Sequence, residues 1–145
     1  MLGYGSPYGL LNPSQFIDAG SNIIDESMVP ALRNKIDNLY TWCYADQFVR
    51  RHGLSGLCSG VFISELIEAE HFSFDDLDQN LIDKSTERFA SISSKYITGL
   101  LDAQYFMLLL EYGVVARNNL IARFNLERMY LLRGGTNNKL IKEAV

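Results

Sequence analysis

The residues that come closest to a metal-binding motif are Glu65, Glu68 and His71. Positions three and six apart lie on one face of a helix, where two carboxylates and an imidazole could bind a metal ion. Di-iron helical bundles, however, need a second Glu-x-x-His pair and two further glutamates on facing helices. The only other histidine, His52, has Val49 three positions before it. A solvated acidic helix face is therefore the favoured interpretation, and no metal or cofactor is predicted.

Nucleophilic catalysis would need Cys43 or Cys58 beside a histidine, but neither cysteine lies in a local catalytic signature. Both thiols fall in apolar helical pattern, where a reduced cysteine is usually inert. The glycines follow no predicted strand, as a dinucleotide or phosphate loop would require. The sequence therefore predicts a protein that is not an enzyme and binds no identified small-molecule substrate. A small metal-dependent helical enzyme stays as an alternative.

Charge is distributed unevenly along the chain, although the net charge is only −4. Residues 65–87 include one basic residue, Lys84, and eight acidic residues: Glu65, Glu68, Glu70, Asp75, Asp76, Asp78, Asp83 and Glu87. From Val114 onward there are two acidic residues, Glu127 and Glu143, and six basic residues: Arg117, Arg123, Arg128, Arg133, Lys139 and Lys142. Such an asymmetry predicts complementary surfaces for partners. The arginines are spread around their helix, so nucleic acid is expected as a partner only inside a larger assembly.

Apolar residues recur every three or four positions over most of the chain, as they do on one face of a helix. The pattern predicts helices from Ser14 to Gly20, from Ala31 to His52 and from Val61 to His71. Further helices are expected from Thr86 to Glu111 and from Val114 to Arg133. The longest of these places six residues on one core stripe: Phe89, Ile92, Tyr96, Leu100, Tyr105 and Leu108.

No alternating strand pattern extends over more than a few positions, and 145 residues suit one domain. The predicted fold class is therefore all-α, an irregular bundle of four to six helices. Residues 1–13 are rich in Gly, Tyr, Pro and Ser and are predicted to form an extended N-terminal arm. Residues 14–135 form the predicted single helical domain, and residues 136–145 form a short C-terminal tail.

The N-terminus lacks the basic and apolar segments of a secretory signal. The longest apolar run, from Tyr105 to Leu110, is shorter than the about 18 residues of a membrane span. We therefore expect a soluble protein without a membrane partner, located in the cytoplasm or within a virus particle.

These features favour a structural or assembly protein, such as a virus or phage particle component whose subunits pack together. The arm, the tail and the two charged regions are the predicted contact surfaces. The candidate interface residues are Tyr4, Tyr8, Asp75, Asp76, Asp78, Arg117, Arg123, Arg128, Arg133, Lys139, Leu140 and Ile141. The alternative is an acidic helical inhibitor, immunity protein or adaptor that binds a basic partner through residues 65–87.

Three short stretches begin at Pro13, Asn118 and Arg133 and read PSQF, NNLI and RGGT. They are similar to short segments in the helical-bundle coat proteins of rod-shaped plant viruses. Their spacing departs from the coat-protein pattern, so neither that fold nor its RNA-binding residues are carried over.

Overall fold

The computed structural model describes residues 4–12, 22–74, 77–117 and 119–137, without the side chains of residues 115–117 and 137. The chain divides into two compact units. Residues 1–61 together with 129–145 form the sheet unit, and residues 62–128 form the helical unit. No helix in the described part of the chain is long and apolar enough to cross a membrane.

The sheet unit contains a small antiparallel sheet near the N-terminus. Its strands, in spatial order, are β1 (Gly5–Ser6), β2 (Gly9–Leu11) and β3 (Asn22–Ile24). Gly5 is required because a Cβ there would overlap the Trp42 ring, whose indole N–H donates to the Ser6 carbonyl over 3.3 Å. The described part of the predicted arm is therefore paired and packed within its own unit.

A second, mixed sheet consists of β4 (Leu39–Tyr40), β5 (Gly56–Ser59), β6 (Met129–Arg133) and β7 (Thr136–Asn137), in that order. β4 is parallel to β5, while the β5–β6 and β6–β7 pairs are antiparallel. Gly134 and Gly135, both with positive φ, form the two-residue turn between the last two strands. Positive φ at both positions suits glycine, which has no Cβ.

The sheet unit also contains helices α1 (Val29–Arg33) and α2 (Ala45–Arg51), and a 3-10 turn at Glu26–Met28 precedes the first of them. Its core is a cluster of buried residues drawn from helices, strands and loops: Val29, Tyr40, Trp42, Ala45, Phe48, Val49, Leu54, Cys58 and Leu132. Phe48 lies at the centre, fully buried, with the Trp42 ring centroid 5.7 Å away.

The helical unit contains α3 (Leu66–His71), α4 (Gln79–Ile97), α5 (Ala103–Arg117) and α6 (Leu120–Glu127). Aromatic rings link α4 to α5 and to the segment before α3: the Phe89 ring centroid lies 4.6 Å from that of Phe62 and 5.9 Å from that of Phe106 of α5. Buried Asn125 of α6 binds the segment that precedes α3. Its side-chain amide accepts a hydrogen bond from the Ile63 N–H and donates one to the Ile63 carbonyl, both at 2.8 Å.

The predictions of an all-α fold and of a helical bundle are wrong, because the protein is a mixed α and β structure with two sheets. The predicted helix from Ala31 to His52 is interrupted by β4, and the end of the predicted final helix is β6. The predicted domain limits after residues 13 and 135 stay predictions, because residues 13–21 and 138–145 lie outside the described residues.

Candidate functional site

A sharp corner separates α4 from α5. Gly99 has a φ of 75°, its N–H donates to the Tyr96 carbonyl over 3.0 Å, and the Leu100 N–H donates to the Lys95 carbonyl over 2.9 Å. This pair of bonds is the Schellman motif that ends a helix. Asp102 then begins α5, since its carboxylate accepts from the Tyr105 N–H over 2.8 Å.

The corner changes which residues of α5 face the core. Phe106 and Met107 are buried in the helical unit. Tyr105, Leu108 and Tyr112 are 60%, 57% and 68% exposed. Their spacing of three and four residues places them in one stripe along the outer face of the helix. A helix that is apolar on its outer face as well as its inner face is expected where a partner covers it.

Two more exposed apolar residues precede this stripe, Ile97 at the end of α4 and Leu100 in the corner, 71% and 75% exposed. Together with Tyr105, Leu108 and Tyr112 they define the α5 face. Asp102 is the only charged residue between positions 97 and 110. Each of the five residues is more than half exposed. Contiguous exposed apolar surface often marks an interaction site.

The α5 face was not among the predicted interface residues. Leu100, Tyr105 and Leu108 were predicted to lie in the core, on the stripe of one helix from Thr86 to Glu111. The signal that marks the corner is the segment Thr98-Gly99-Leu100-Leu101-Asp102, with a glycine suited to ending a helix and an aspartate suited to starting one.

The structure does not bring Glu65, Glu68 and His71 together as a group that could hold a metal ion. The Glu68 carboxylate accepts from the backbone N–H groups of Ser64 and Glu65, at 2.7 and 3.1 Å, and so caps the start of α3. The His71 ring packs edge-on against Phe72 at 5.2 Å. Within residues 4–12, 22–74, 77–117 and 119–137, no group of three or more His, Cys, Asp or Glu residues could hold a metal ion.

The acidic interface candidates are only partly placed. Asp78 caps α4, because its carboxylate accepts from the Asn80 N–H over 3.0 Å. Asp75 and Asp76 lie outside the described residues.

The basic interface candidates are divided between the two units. In the helical unit, Arg123 is exposed, and the Arg128 guanidinium lies 3.4 Å from the Phe124 ring centroid. In the sheet unit, Arg133 donates to the Ile36 carbonyl over 3.3 Å. The Arg117 side chain and all of Lys139, Leu140 and Ile141 lie outside the described residues.

The two tyrosine candidates belong to the small N-terminal sheet and its turn. The Tyr4 carbonyl accepts from the Leu11 N–H over 2.9 Å, and the Tyr4 side chain is 38% exposed. The Tyr8 side chain is 66% exposed, and the Arg51 guanidinium lies over its ring at 4.5 Å from the centroid.

The two cysteines differ in environment. Cys58 is fully buried in β5, and its thiol donates to the Tyr130 carbonyl over 3.6 Å. Burial raises the pKa of the Cys58 thiol far above its ordinary value, and the nearby Asp46 carboxylate raises the pKa further. Cys43 is half-buried. Because only the thiolate is a strong nucleophile, Cys58 is unsuited to nucleophilic catalysis.

We therefore expect iodoacetamide at pH 8 to alkylate Cys58 on the order of 100-fold or more slowly in the native protein than in urea. Cys43 serves as the internal control, because its half-buried thiol shares the same chain and reagent. Peptide mass spectrometry over time measures both rates. Native labelling of Cys58 at the rate found in urea would contradict this assignment.

Comparisons of the chain with protein-family models, curated protein sequences and solved structures found no match. The function must therefore be inferred from the side chains themselves.

Proposed function

We propose that the protein is a structural or assembly protein whose copies associate through the α5 face. The supporting observation is the nearly uncharged surface of Ile97, Leu100, Tyr105, Leu108 and Tyr112, each more than half exposed. Burial of apolar surface is the dominant favourable term in most protein associations. Tyrosine is also enriched among the residues that contribute most to binding energy at interfaces.

A protein partner fits this face better than a membrane surface. Helices that lie on membranes carry lysine and arginine on the polar side of their apolar face, where these residues attract anionic lipids. The charged residues within and next to the face along the chain are the acids Asp102 and Glu111 and the base Lys95, and the Arg88 guanidinium of α4 donates to the Leu109 carbonyl of α5. Anionic lipid would be repelled as much as attracted.

A second copy of the chain is the partner that this face suits best. In a two-fold dimer the same patch faces itself, so like charges within it would oppose each other. The five side chains of the α5 face carry no charge, and the Asp102 carboxylate is engaged at the start of its own helix.

The charged regions are weaker candidates for the same contact. Asp78 caps its own helix, while Arg128 and Arg133 bind groups of their own units. Exposed ion pairs also contribute little and are screened by salt. Association through the α5 face should therefore persist at high salt, whereas association through complementary charges should weaken.

Sedimentation equilibrium of the full chain at low and high salt tests the proposal. We expect a reversible dimer that persists in high salt. Leu108→Glu should weaken the dimer about 100-fold or more, because each copy would bury an unpaired carboxylate. The matched control is Ile67→Glu on α3, since Ile67 is also apolar, helical and 69% exposed. Its dimer should be as stable as that of the unaltered chain.

Three outcomes would overturn the proposal. The first is a monomer at every concentration, and the second is a dimer that dissociates as salt is added. The third is an equal effect of Leu108→Glu and Ile67→Glu, which would mean that the contact lies elsewhere or that any added charge disrupts it.

A further inference from the structure

The sheet unit contains an open cleft of about 420 Å³ whose lining is polar and mixed in charge. The cleft belongs to the sheet unit, whereas the α5 face belongs to the helical unit. Its lining residues are Tyr8, Asn22, Asp25, Glu26, Arg51 and His52. Its volume lies in the about 300–1,000 Å³ range of small-molecule sites.

The basic groups of the cleft come from the end of α2. The Arg51 guanidinium lies over the Tyr8 ring at 4.5 Å from its centroid and makes no ion pair with any described residue. The ring orients the guanidinium by attracting its positive charge to the aromatic face. This contact uses none of the N–H donors, which point outward in the plane of the guanidinium. Arg51 can therefore donate two parallel hydrogen bonds to a carboxylate.

His52 follows Arg51 and is held by packing. Its ring centroid lies 4.7 Å from that of Phe48, which is fully buried. Among the described residues, the ring nitrogens of His52 have no hydrogen-bond partner. A fixed imidazole with free nitrogens can donate to or accept from a ligand in the cleft.

The acidic groups come from a different element, the start of the 3-10 turn. The Asp25 carboxylate accepts from the N–H and the hydroxyl of Ser27, at 2.8 and 2.6 Å. These hydrogen bonds lower the pKa of Asp25 below its ordinary value, so the group stays ionised near neutral pH. Glu26 is exposed and makes no ion pair with any described residue.

The cleft thus presents two carboxylates and a guanidinium that do not neutralise one another. A simple anion would be attracted by Arg51 but repelled by Asp25 and Glu26. A simple cation would be attracted by the two carboxylates but repelled by Arg51. We infer that the cleft binds a small zwitterion of amino-acid or dipeptide size. Its carboxylate would contact Arg51 and His52, and its ammonium group would contact Asp25 and Glu26.

Titration of the ¹⁵N-labelled full chain with glycylglycine, followed by NMR, tests the inference. Shifts should localise to the backbone amides of residues 8, 22–26 and 51–52. Two probes each lack one charge: acetyl-glycylglycine has no ammonium group, and glycylglycine amide has no carboxylate. Each should bind about 10-fold or more weakly than glycylglycine, because one charged contact is lost.

Arg51→Gln should weaken glycylglycine binding about 10-fold or more. Arg33→Gln is the matched control, because Arg33 is an exposed helical arginine of the same unit that does not line the cleft. Glu26→Gln tests the ammonium contact at an exposed position where folding is not at risk. It should weaken the binding of glycylglycine and of glycylglycine amide, which both carry the ammonium group, and should not weaken the binding of acetyl-glycylglycine.

Three results would overturn the inference. The first is the absence of localised shifts up to about 20 mM glycylglycine, well above the millimolar affinity expected of a small ligand. The second is equal binding of acetyl-glycylglycine, which would make the cleft a simple anion site. The third is an equal loss of binding in Arg33→Gln and Arg51→Gln.

Discussion

Replacing Asn125 by leucine is expected to lower the free energy of unfolding by about 2–5 kcal/mol, because it leaves two buried backbone groups without partners. Asn125 is 4% exposed, and Ile63, whose N–H and carbonyl it binds, is fully buried. Leucine has a similar size but can neither donate nor accept. Each buried group that loses its partner costs about 1–3 kcal/mol.

Urea unfolding followed by circular dichroism measures this change. The matched control is Asn80→Leu, because Asn80 is an exposed residue in the first turn of α4. The control should stay within about 0.5 kcal/mol of the unaltered chain, as surface substitutions usually do. A loss for Asn125→Leu no larger than that of Asn80→Leu would show that α6 is not held to Ile63 by these bonds.

Helical periodicity alone overestimated the helical content of the sheet unit. The predicted helix from Ala31 to His52 correctly contains α2 and most of α1, but β4 lies between them. β4 has only two residues, paired in parallel with Leu57 and Cys58 of β5. Two residues are too few to show an alternating pattern, so their apolar side chains fitted the helical spacing by coincidence.

The strands β5 and β6 were missed for a different reason. All four residues of β5 are buried, so the strand shows no alternation between polar and apolar residues. Its partner β6 lies about 70 positions further along the chain, where Met129–Arg133 continued an apolar helical pattern. Only the pairing of the two segments distinguishes a strand from a helix there, and a local pattern contains no information about such pairing.

The candidate interaction surface was missed because one helix was predicted where there are two. Phe89, Ile92 and Tyr96 are buried as predicted, since they precede the corner at Gly99. After the corner, Asp102 starts a new helix with a different face toward the core, so Tyr105 and Leu108 are exposed. The apolar residues of α5 are therefore divided between the core, where Phe106 and Met107 lie, and the exposed outer side of the helix.

Phe48→Ala is the second substitution with a large expected effect, a loss of about 3–5 kcal/mol from the free energy of unfolding. Phe48 is fully buried, and its ring contacts both the Trp42 and His52 rings, at centroid distances of 5.7 and 4.7 Å. Truncation removes the ring and leaves a cavity between them, and the surrounding core can fill that cavity only partly. The fluorescence of Trp42, the only tryptophan of the chain, reports the change during urea unfolding.

Phe48→Leu is the control, because it keeps most of the apolar volume and should lose clearly less stability than Phe48→Ala. Both variants remove the ring that fixes the imidazole of His52, so both should weaken glycylglycine binding in the cleft even where the chain stays folded. Equal stability of Phe48→Ala and the unaltered chain would contradict the packing of the sheet unit. Unchanged glycylglycine binding in a folded Phe48→Leu protein would instead show that His52 needs no support from the Phe48 ring. The two measurements therefore test separately whether Phe48 stabilises the sheet unit and whether it positions a residue of the cleft.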